Sequence, residues 1–414
     1  MVLESVSLSF NSYRKEAVKL PSPKLSQRDR LRSLYPYYAG FSEAFVDAAL
    51  DQLGVGAGSR VLDPWNGSGT TTLVACRRGA RATGIDLNPV LAEISVARSA
   101  RDHSVKVAAE IVDSGIRRAR ITLEREWGEP LKAIYLFEVE LLSPHRGLFG
   151  QKQAHALIAV ALYSTIRSLS SSTRSRNPTW FKSVPEISCS PSAFIDAFNS
   201  ALERVFDIQR ANAQNIISTP KIFNADFVEW RGRECSYDAI VTSPPYLTRI
   251  DYVKATFPEL SYRKVREPID LAMLRNRMLG TPVTAGLTVA IPETIGHEAS
   301  RALELIKGHP SKASSTYYLR FYAQYFVGLA FSIAKISRLL RSGGGAALVV
   351  QTTYYKEILV DLPNIVAEMG MRHGLSLQGI FPFEQKNSIN YLNTRSHSSK
   401  AQVPPTEAVI IFRK

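Results

Sequence analysis

Apolar and polar positions along the chain change period several times, and each change marks an element. After Ser42, the residues Phe45, Val46, Ala49 and Leu50 recur at helical spacing and stop at Gly54, which predicts a short amphipathic helix with a serine start and a glycine stop. SRVLDP then reads as a strand, TTTLVACRRG as a helix closed by Gly79, ARATGIDL as a second strand and residues 89–101 as a helix opened by proline. Strand, helix, strand, helix predicts a parallel sheet. The alternation then stops for about 120 residues, an insertion, and resumes with KIFNAD and YDAIVTS as strands. A second irregular stretch follows Tyr246 and runs to about residue 315. Leu319, Tyr322, Phe326, Leu329, Ile333, Ile336 and Leu340 are spaced by alternating threes and fours, which predicts a long helix ended by SGGG after Arg341. The stripe is short for a coiled-coil seam, so it reads as a face packed on a sheet. AALVVQ, LSLQGIFPF and EAVIIFRK read as strands, with a helix over 361–372 carrying Pro363 in its first turn.

Two short segments break this pattern in ways that carry chemistry. In VLDPWNGSGTTT, residues 61–72, a strand runs into a glycine loop and a helix. Gly67 and Gly69 permit a sharp turn and close approach to a ligand, and the following helix N-terminus offers free N–H groups and the positive end of its dipole. Asp86 lies 19 residues beyond Gly67 at the end of the next strand, where a carboxylate can accept from two ribose hydroxyls. Together they point to an adenosine-containing ligand. Thr70 stands where a phosphate-binding P-loop needs lysine, and Thr72 where a dinucleotide fingerprint needs its third glycine, which disfavours ATP hydrolysis and dinucleotides. The second segment is VTSPPY, residues 241–246, at the carboxyl end of a hydrophobic strand, where open α/β sheets place their active sites. Pro244 and Pro245 remove two N–H donors and stiffen the loop, leaving the Ser243 hydroxyl and backbone carbonyls as acceptors beside the ring of Tyr246. An exocyclic amine of a nucleobase needs those parts: acceptors that orient its N–H bonds and an aromatic face to stack on.

Charge agrees with a nucleic-acid substrate. The 414 residues hold 51 Lys and Arg against 37 Asp and Glu, a net charge of +14 that favours polyanionic partners. Basic residues concentrate in an N-terminal arm (Arg14, Lys15, Lys19, Lys24, Arg28, Arg30, Arg32), in the acid-free stretch 141–185 (Arg146, Lys152, Arg167, Arg174, Arg176, Lys182) and at Arg263, Lys264, Arg266, Arg275 and Arg277. Arg249 is a candidate phosphate contact, Trp180 a candidate stacking residue or core residue, and Asp251 with Tyr252 either shapes the base pocket or starts a helix. Cys76, Cys189 and Cys235 are odd in number and form no CxxC pair, and His145, His155, His309 and His397 lack ligand spacing, so no metal site is expected. With no signal-peptide pattern at the start, and a longest apolar run (156–163) far below the roughly 18 residues a bilayer span needs, a cytoplasmic location is expected.

DPWNGSGTT, GIDLNP, FNADF and TSPPY, in that order, resemble the S-adenosylmethionine-dependent amino-methyltransferases of DNA, which act on cytosine N4 or adenine N6. The resemblance covers roughly 33–101, 220–260 and 317–414. It implies an α/β, Rossmann-like class I methyltransferase fold: a seven-stranded, mostly parallel sheet with helices on both faces and the last strand antiparallel. It implies S-adenosylmethionine as cofactor, contacted by Tyr38, Phe41, Asp63, Pro64, Gly67, Gly69, Thr70, Asp86, Leu87, Asn88 and Asp226. Ser243, Pro244, Pro245 and Tyr246 would orient a flipped base for direct transfer without metal or covalent intermediate. In this family Ser at the first tetrapeptide position is commoner in cytosine N4 enzymes, which makes Ser243 favour cytosine; the cofactor loop preceding the tetrapeptide is a less usual order for them and keeps adenine N6 as the alternative. An RNA base methyltransferase and a non-catalytic DNA-binding subunit are further alternatives. The expected organisation is an arm and cofactor-binding half (1–101), an inserted basic segment for target recognition (102–219), the catalytic motif region (220–260), a second variable basic segment (261–316) and the C-terminal half of the core (317–414). Double-stranded DNA is the expected substrate, with a cognate restriction endonuclease or defence-system proteins as partners and no membrane association.

Overall fold

A computed structural model of the chain describes residues 20–37, 40–143, 151–170, 181, 186–248, 250–284, 292–383 and 405–414. Tyr38, Arg249, Trp180, His145 and His397 lie outside the described residues, as do Arg14, Lys15, Lys19, Arg146, Arg174, Arg176 and Lys182.

The predicted strands form one sheet. β1 (Arg60–Asp63), β2 (Arg81–Asp86), β3 (Lys221–Asn224), β4 (Tyr237–Thr242) and β5 (Leu340–Gln351) run parallel in the order β3-β2-β1-β4-β5. β9 (Glu407–Arg413) joins β5 antiparallel, and β8 (Ser376–Phe383) joins β9 antiparallel at the edge. A small hairpin of β6 (Thr353–Tyr355) and β7 (Ile358–Val360) stands apart. This is the mostly parallel, seven-stranded Rossmann-like arrangement that the resemblance implies, with the last strand antiparallel. β5 starts earlier than expected, directly at the end of the long helix, so SGGG lies inside the strand: Gly343 has φ +75°, and a Cβ on Gly344 would meet Arg341 O at 2.9 Å and Asp238 O at 3.1 Å.

Side chains alternate between the two faces of the sheet. Val61, Ala239, Val241, Ala347, Val349, Val409 and Ile411 pack under α2 (Glu43–Gln52) and α3 (Thr70–Arg77). Leu62, Ile240, Leu348, Val350, Ile410 and Phe412 pack under α13 (Leu319–Leu339) and α14 (Leu362–Arg372), with α12 (His297–Gly308) alongside. The α13 stripe is therefore a core face. Among the described residues no helix is long and apolar enough to cross a membrane.

Where they are described, the two stretches expected to be irregular are mostly helical. After α4 (Pro89–Arg98), the insertion forms α5 (Asp102–Glu126), α6 (Pro130–Leu142), α7 (Lys152–Leu169) and α8 (Pro191–Ala213). These helices bury one continuous core with α4 and with α10 (Phe257–Arg266), which follows the short α9 (Tyr252–Ala255). α11 (Leu271–Arg277) comes next.

Among the described residues, several of the basic side chains picked out in the sequence are paired with carboxylates. Arg167 on α7 donates to both oxygens of Glu259 on α10 at 2.6 and 2.9 Å, to Ala255 O and to the Tyr35 hydroxyl, and lies over the rings of Tyr35 and Phe181. Arg263 pairs with Glu93 and Glu267, Arg266 with Glu138, Arg275 with Asp251, and Arg277 with Glu229 and Asp226. Of the five basic residues picked out in the second variable segment, four are paired and Lys264 is exposed without an ion pair among the described residues. Buried cations need carboxylate partners, so the charge stays where the acids are.

Candidate active site

The two motif loops leave neighbouring strands, β1 and β4, at their carboxyl ends. Thr242, the last residue of β4, donates its hydroxyl to Asp63 Oδ1, at the end of β1, at 2.6 Å; the Trp65 N–H reaches the same oxygen at 3.2 Å. Asp63 is only 2% exposed, so it ties the loops together from beneath, with Pro64 buried next to it. Burial pushes its carboxyl up to about 6, against these hydrogen bonds. Between the usual 3.8 and that value the folded chain binds more proton than the unfolded one, so its contribution to stability falls as pH rises from about 4 to 6 and stays lower above. Asp63→Asn keeps an acceptor for Thr242 and removes the buried charge. The variant is expected to be more stable than wild type at pH 8, by on the order of 1–3 kcal/mol, with the gap closing towards pH 4. Urea midpoints at both pH values measure this; an equal gap at both would contradict the assignment.

Gly67 and Gly69 hold left-handed backbone, φ +50° and +86°. A Cβ on Gly69 would lie 2.2 Å from Ser95 Oγ, so α4 closes directly on the loop. Gly69 caps α3 with no side-chain bond, which leaves the first N–H groups of Thr70 and its successors open. Arg98 fixes the loop from below through Ser68 O, Ser68 Oγ and Thr70 Oγ1 at 3.0–3.2 Å.

Asp86 ends β2 beside this turn. Its Oδ2 accepts the Gly67 N–H at 2.7 Å and its Oδ1 the Asn88 N–H at 2.8 Å, leaving lone pairs on both oxygens. Burial holds this carboxyl at about 6 as well, with the two N–H groups opposing the rise and the charge of Asp63 adding to it. Asn88 caps α4 through the Val90 N–H and donates to Thr256 Oγ1, while Leu87 is half-buried with its carbonyl held by Asn224. Tyr37 covers the turn: its Cε1 would lie 3.5 Å from a Cβ on Gly67. Phe41 sits further along the same segment, packed on Phe45 at 5.5 Å. Asp226 accepts the Val228 N–H at 2.9 Å and pairs with Arg277 of α11.

The tetrapeptide is equally anchored. Ser243 donates to Val349 O at 3.1 Å, and the Pro245 carbonyl accepts from the Tyr325 hydroxyl at 2.9 Å. The Tyr246 N–H donates to the Tyr252 hydroxyl at 3.0 Å, and the Tyr246 hydroxyl donates to Glu407 Oε1. Burial and the Glu407 carboxylate hold the Tyr246 phenol well above its usual range. Among the described residues no donor reaches the Pro244 carbonyl. Asp251 caps α9 through the Lys254 N–H and accepts Arg275, so it serves as a helix-start carboxylate.

Tyr252, named in the sequence beside Asp251, holds the Tyr246 backbone, whereas sequence reasoning missed Arg98, Tyr325 and Glu407. The last two lie 79 and 161 residues from Tyr246 and carry no motif of their own. His309 pairs with Glu357, and among the described residues no cluster of three or more His, Cys, Asp or Glu is placed to hold a metal.

The sheet has a Rossmann-like methyltransferase fold, and the glycine loop and the Ser-Pro-Pro-Tyr loop lie side by side on it. The chain has weak homology to Type II methyltransferases. It is 21% identical over 413 residues to Type II methyltransferase M.AvaI of Nostoc sp. (strain PCC 7120), covering 88% of this chain and 83% of that protein, and equally to M.AvaI of Anabaena variabilis. A 72-residue stretch is 35% identical to Type II methyltransferase M.BsoBI of Geobacillus stearothermophilus, spanning 17% of this chain and 14% of the relative. The solved rRNA methyltransferase aviRa of Streptomyces viridochromogenes aligns over 94% of both chains at 11% identity and a TM-score of 0.32. No protein-family profile matches the chain.

Proposed function

We propose that this protein is a site-specific DNA methyltransferase, working in the cytoplasm as the modifying half of a restriction-modification or defence system, that transfers a methyl group from S-adenosylmethionine to the N4 amine of cytosine. The observation that carries the reading is the Thr242–Asp63 bond, which fixes a nucleoside-type pocket and an amine-acceptor loop on adjacent strand ends.

The residues present fit the cofactor. Asp86 keeps lone pairs for ribose hydroxyls, and the open first turn of α3 offers N–H groups to a carboxylate. Tyr38, Phe41, Leu87, Asn88 and Asp226 complete the proposed contacts, with Pro64 and Asp63 supporting the turn from behind. S-adenosylmethionine supplies an electrophilic methyl group on a sulfonium. The chain's own task is positioning: Ser243 Oγ and the Pro244 carbonyl accept the two amine N–H bonds, which turns the nitrogen lone pair towards the cofactor side of the pocket. Pro245 stiffens the loop, and Tyr246 stacks on the base. Extruding the base costs a few kcal/mol, which these contacts offset.

Ser243 supports cytosine over adenine. The segment 102–219 is the proposed target reader, because the arginines of 261–316 are spent on carboxylates whereas Arg117 and Arg118 on α5 are exposed and make no ion pair among the described residues. The relatives' names, Type II methyltransferases, support the assignment to restriction-modification. Nucleoside mass spectrometry of digested genomic DNA from expressing cells should show N4-methylcytosine above an empty-vector control. N6-methyladenine would keep the reaction and overturn the base, and neither modification would remove the DNA assignment.

A further inference from the structure

Glu407 opens β9, the strand between β5 and β8, across from Gln351 on β5 and Phe383 on β8. It is 6% exposed. Its Oε1 accepts the Tyr246 hydroxyl, and its Oε2 is buried without a hydrogen-bond partner among the described residues. A buried carboxylate with an idle oxygen costs the fold stability. The sheet does not need it: the next residues of β9, Ala408 to Phe412, are apolar, and the backbone beside it is already clamped by reciprocal bonds between Thr352 and Thr406.

What the carboxylate touches is the tyrosine of the tetrapeptide. Tyr246 is anchored at opposite ends, its backbone N–H on Tyr252 and its hydroxyl on Glu407, with the Ser243 side chain also acting on the phenol. An aromatic ring held only at its backbone is free to rotate about its side-chain torsions, and each misoriented rotamer is one a base cannot stack on. A charged acceptor makes the stronger tether.

Resting on the methyltransferase reading, we propose that Glu407 is a positioning residue of the transfer site: it acts through the Tyr246 hydroxyl to lock the ring as the wall against which the target base stacks.

The test is a cycle of Glu407→Leu, Glu407→Gln, Tyr246→Phe and the Glu407→Leu, Tyr246→Phe double variant. Each is assayed for methyl transfer to DNA and for the fluorescence of 2-aminopurine placed at the target position. Glu407→Leu should lower kcat about tenfold or more and leave the KM for S-adenosylmethionine unchanged, with 2-aminopurine emission shifted from the wild-type value. Glu407→Gln, which keeps an acceptor oxygen, should stay within about threefold of wild type, and the double variant should be no worse than Tyr246→Phe alone. Multiplied losses in the double variant, or wild-type kcat in Glu407→Leu, would overturn the proposal. If Glu407→Leu does not fold, Tyr246→Phe cuts the same bond from the other side, and full kcat there overturns it equally. A wild-type protein inactive on DNA would instead remove the methyltransferase reading beneath it.

Discussion

Methyl transfer by the Ser243→Ala, Tyr246→Ala double variant is expected to fall by about 10³-fold or more, while S-adenosylmethionine still binds. The two side chains serve different halves of one task. Removing a placed hydrogen-bond partner of the reacting group costs roughly 10²-fold, and removing a base-stacking ring costs about 1–3 kcal/mol. The cofactor side should be spared, because Gly67, Asp86 and Asn88 are bonded to one another and to α4 rather than to the tetrapeptide. Single-turnover methylation and calorimetric cofactor titration measure the two sides separately. Undiminished turnover would remove the assigned roles, and joint loss of turnover and cofactor binding would point to a collapsed site.

The second large effect is on stability. Arg167→Met is expected to destabilise the protein by about 3–5 kcal/mol, because it strands the Glu259 carboxylate, whose side chain is fully buried, together with the Ala255 carbonyl. Methionine keeps most of the volume between Tyr35 and Phe181, so lost packing contributes little. Adding Glu259→Leu should recover most of the loss, since replacing a buried pair by apolar residues is close to neutral. Urea unfolding of the three proteins gives the comparison. A single variant as stable as wild type would show that the pair does not hold the insertion to the core.

Elements with a strong local signal were legible in the sequence. The strands of the sheet, the glycine turn and the α13 stripe each announce themselves within about a dozen residues. The helices of the insertion did not, although α5 buries Val105, Ala108, Val112, Ala119 and Leu123 at intervals of three, four and seven. Its outer face is dense in arginine and glutamate, and Gly115 interrupts the stripe where α5 crosses α6: a Cβ there would lie 2.6 Å from Leu141 O. Charge pairing was hidden for a related reason. Arg167, Arg263 and Arg266 stand out in the sequence only as basic residues, yet their partners Glu259, Glu93 and Glu138 come from other helices, and no local pattern shows such pairing. At the candidate site, the residues in consecutive motifs were found and those delivered from afar, Tyr325 and Glu407, were not.

The core shared by α4, the four helices of the insertion and α10 limits how this architecture can be recombined. A segment that folds on its own can be swapped between scaffolds by cutting at its two ends. Here a cut at residues 101 and 220 would leave α4 and α10 with bare apolar faces, and the excised piece would lose its lid. Any chimaera meant to carry the insertion elsewhere must take α4 and α10 with it, and those helices flank the glycine turn and the tetrapeptide loop. Moving the insertion therefore means moving helices that support both loops of the candidate site.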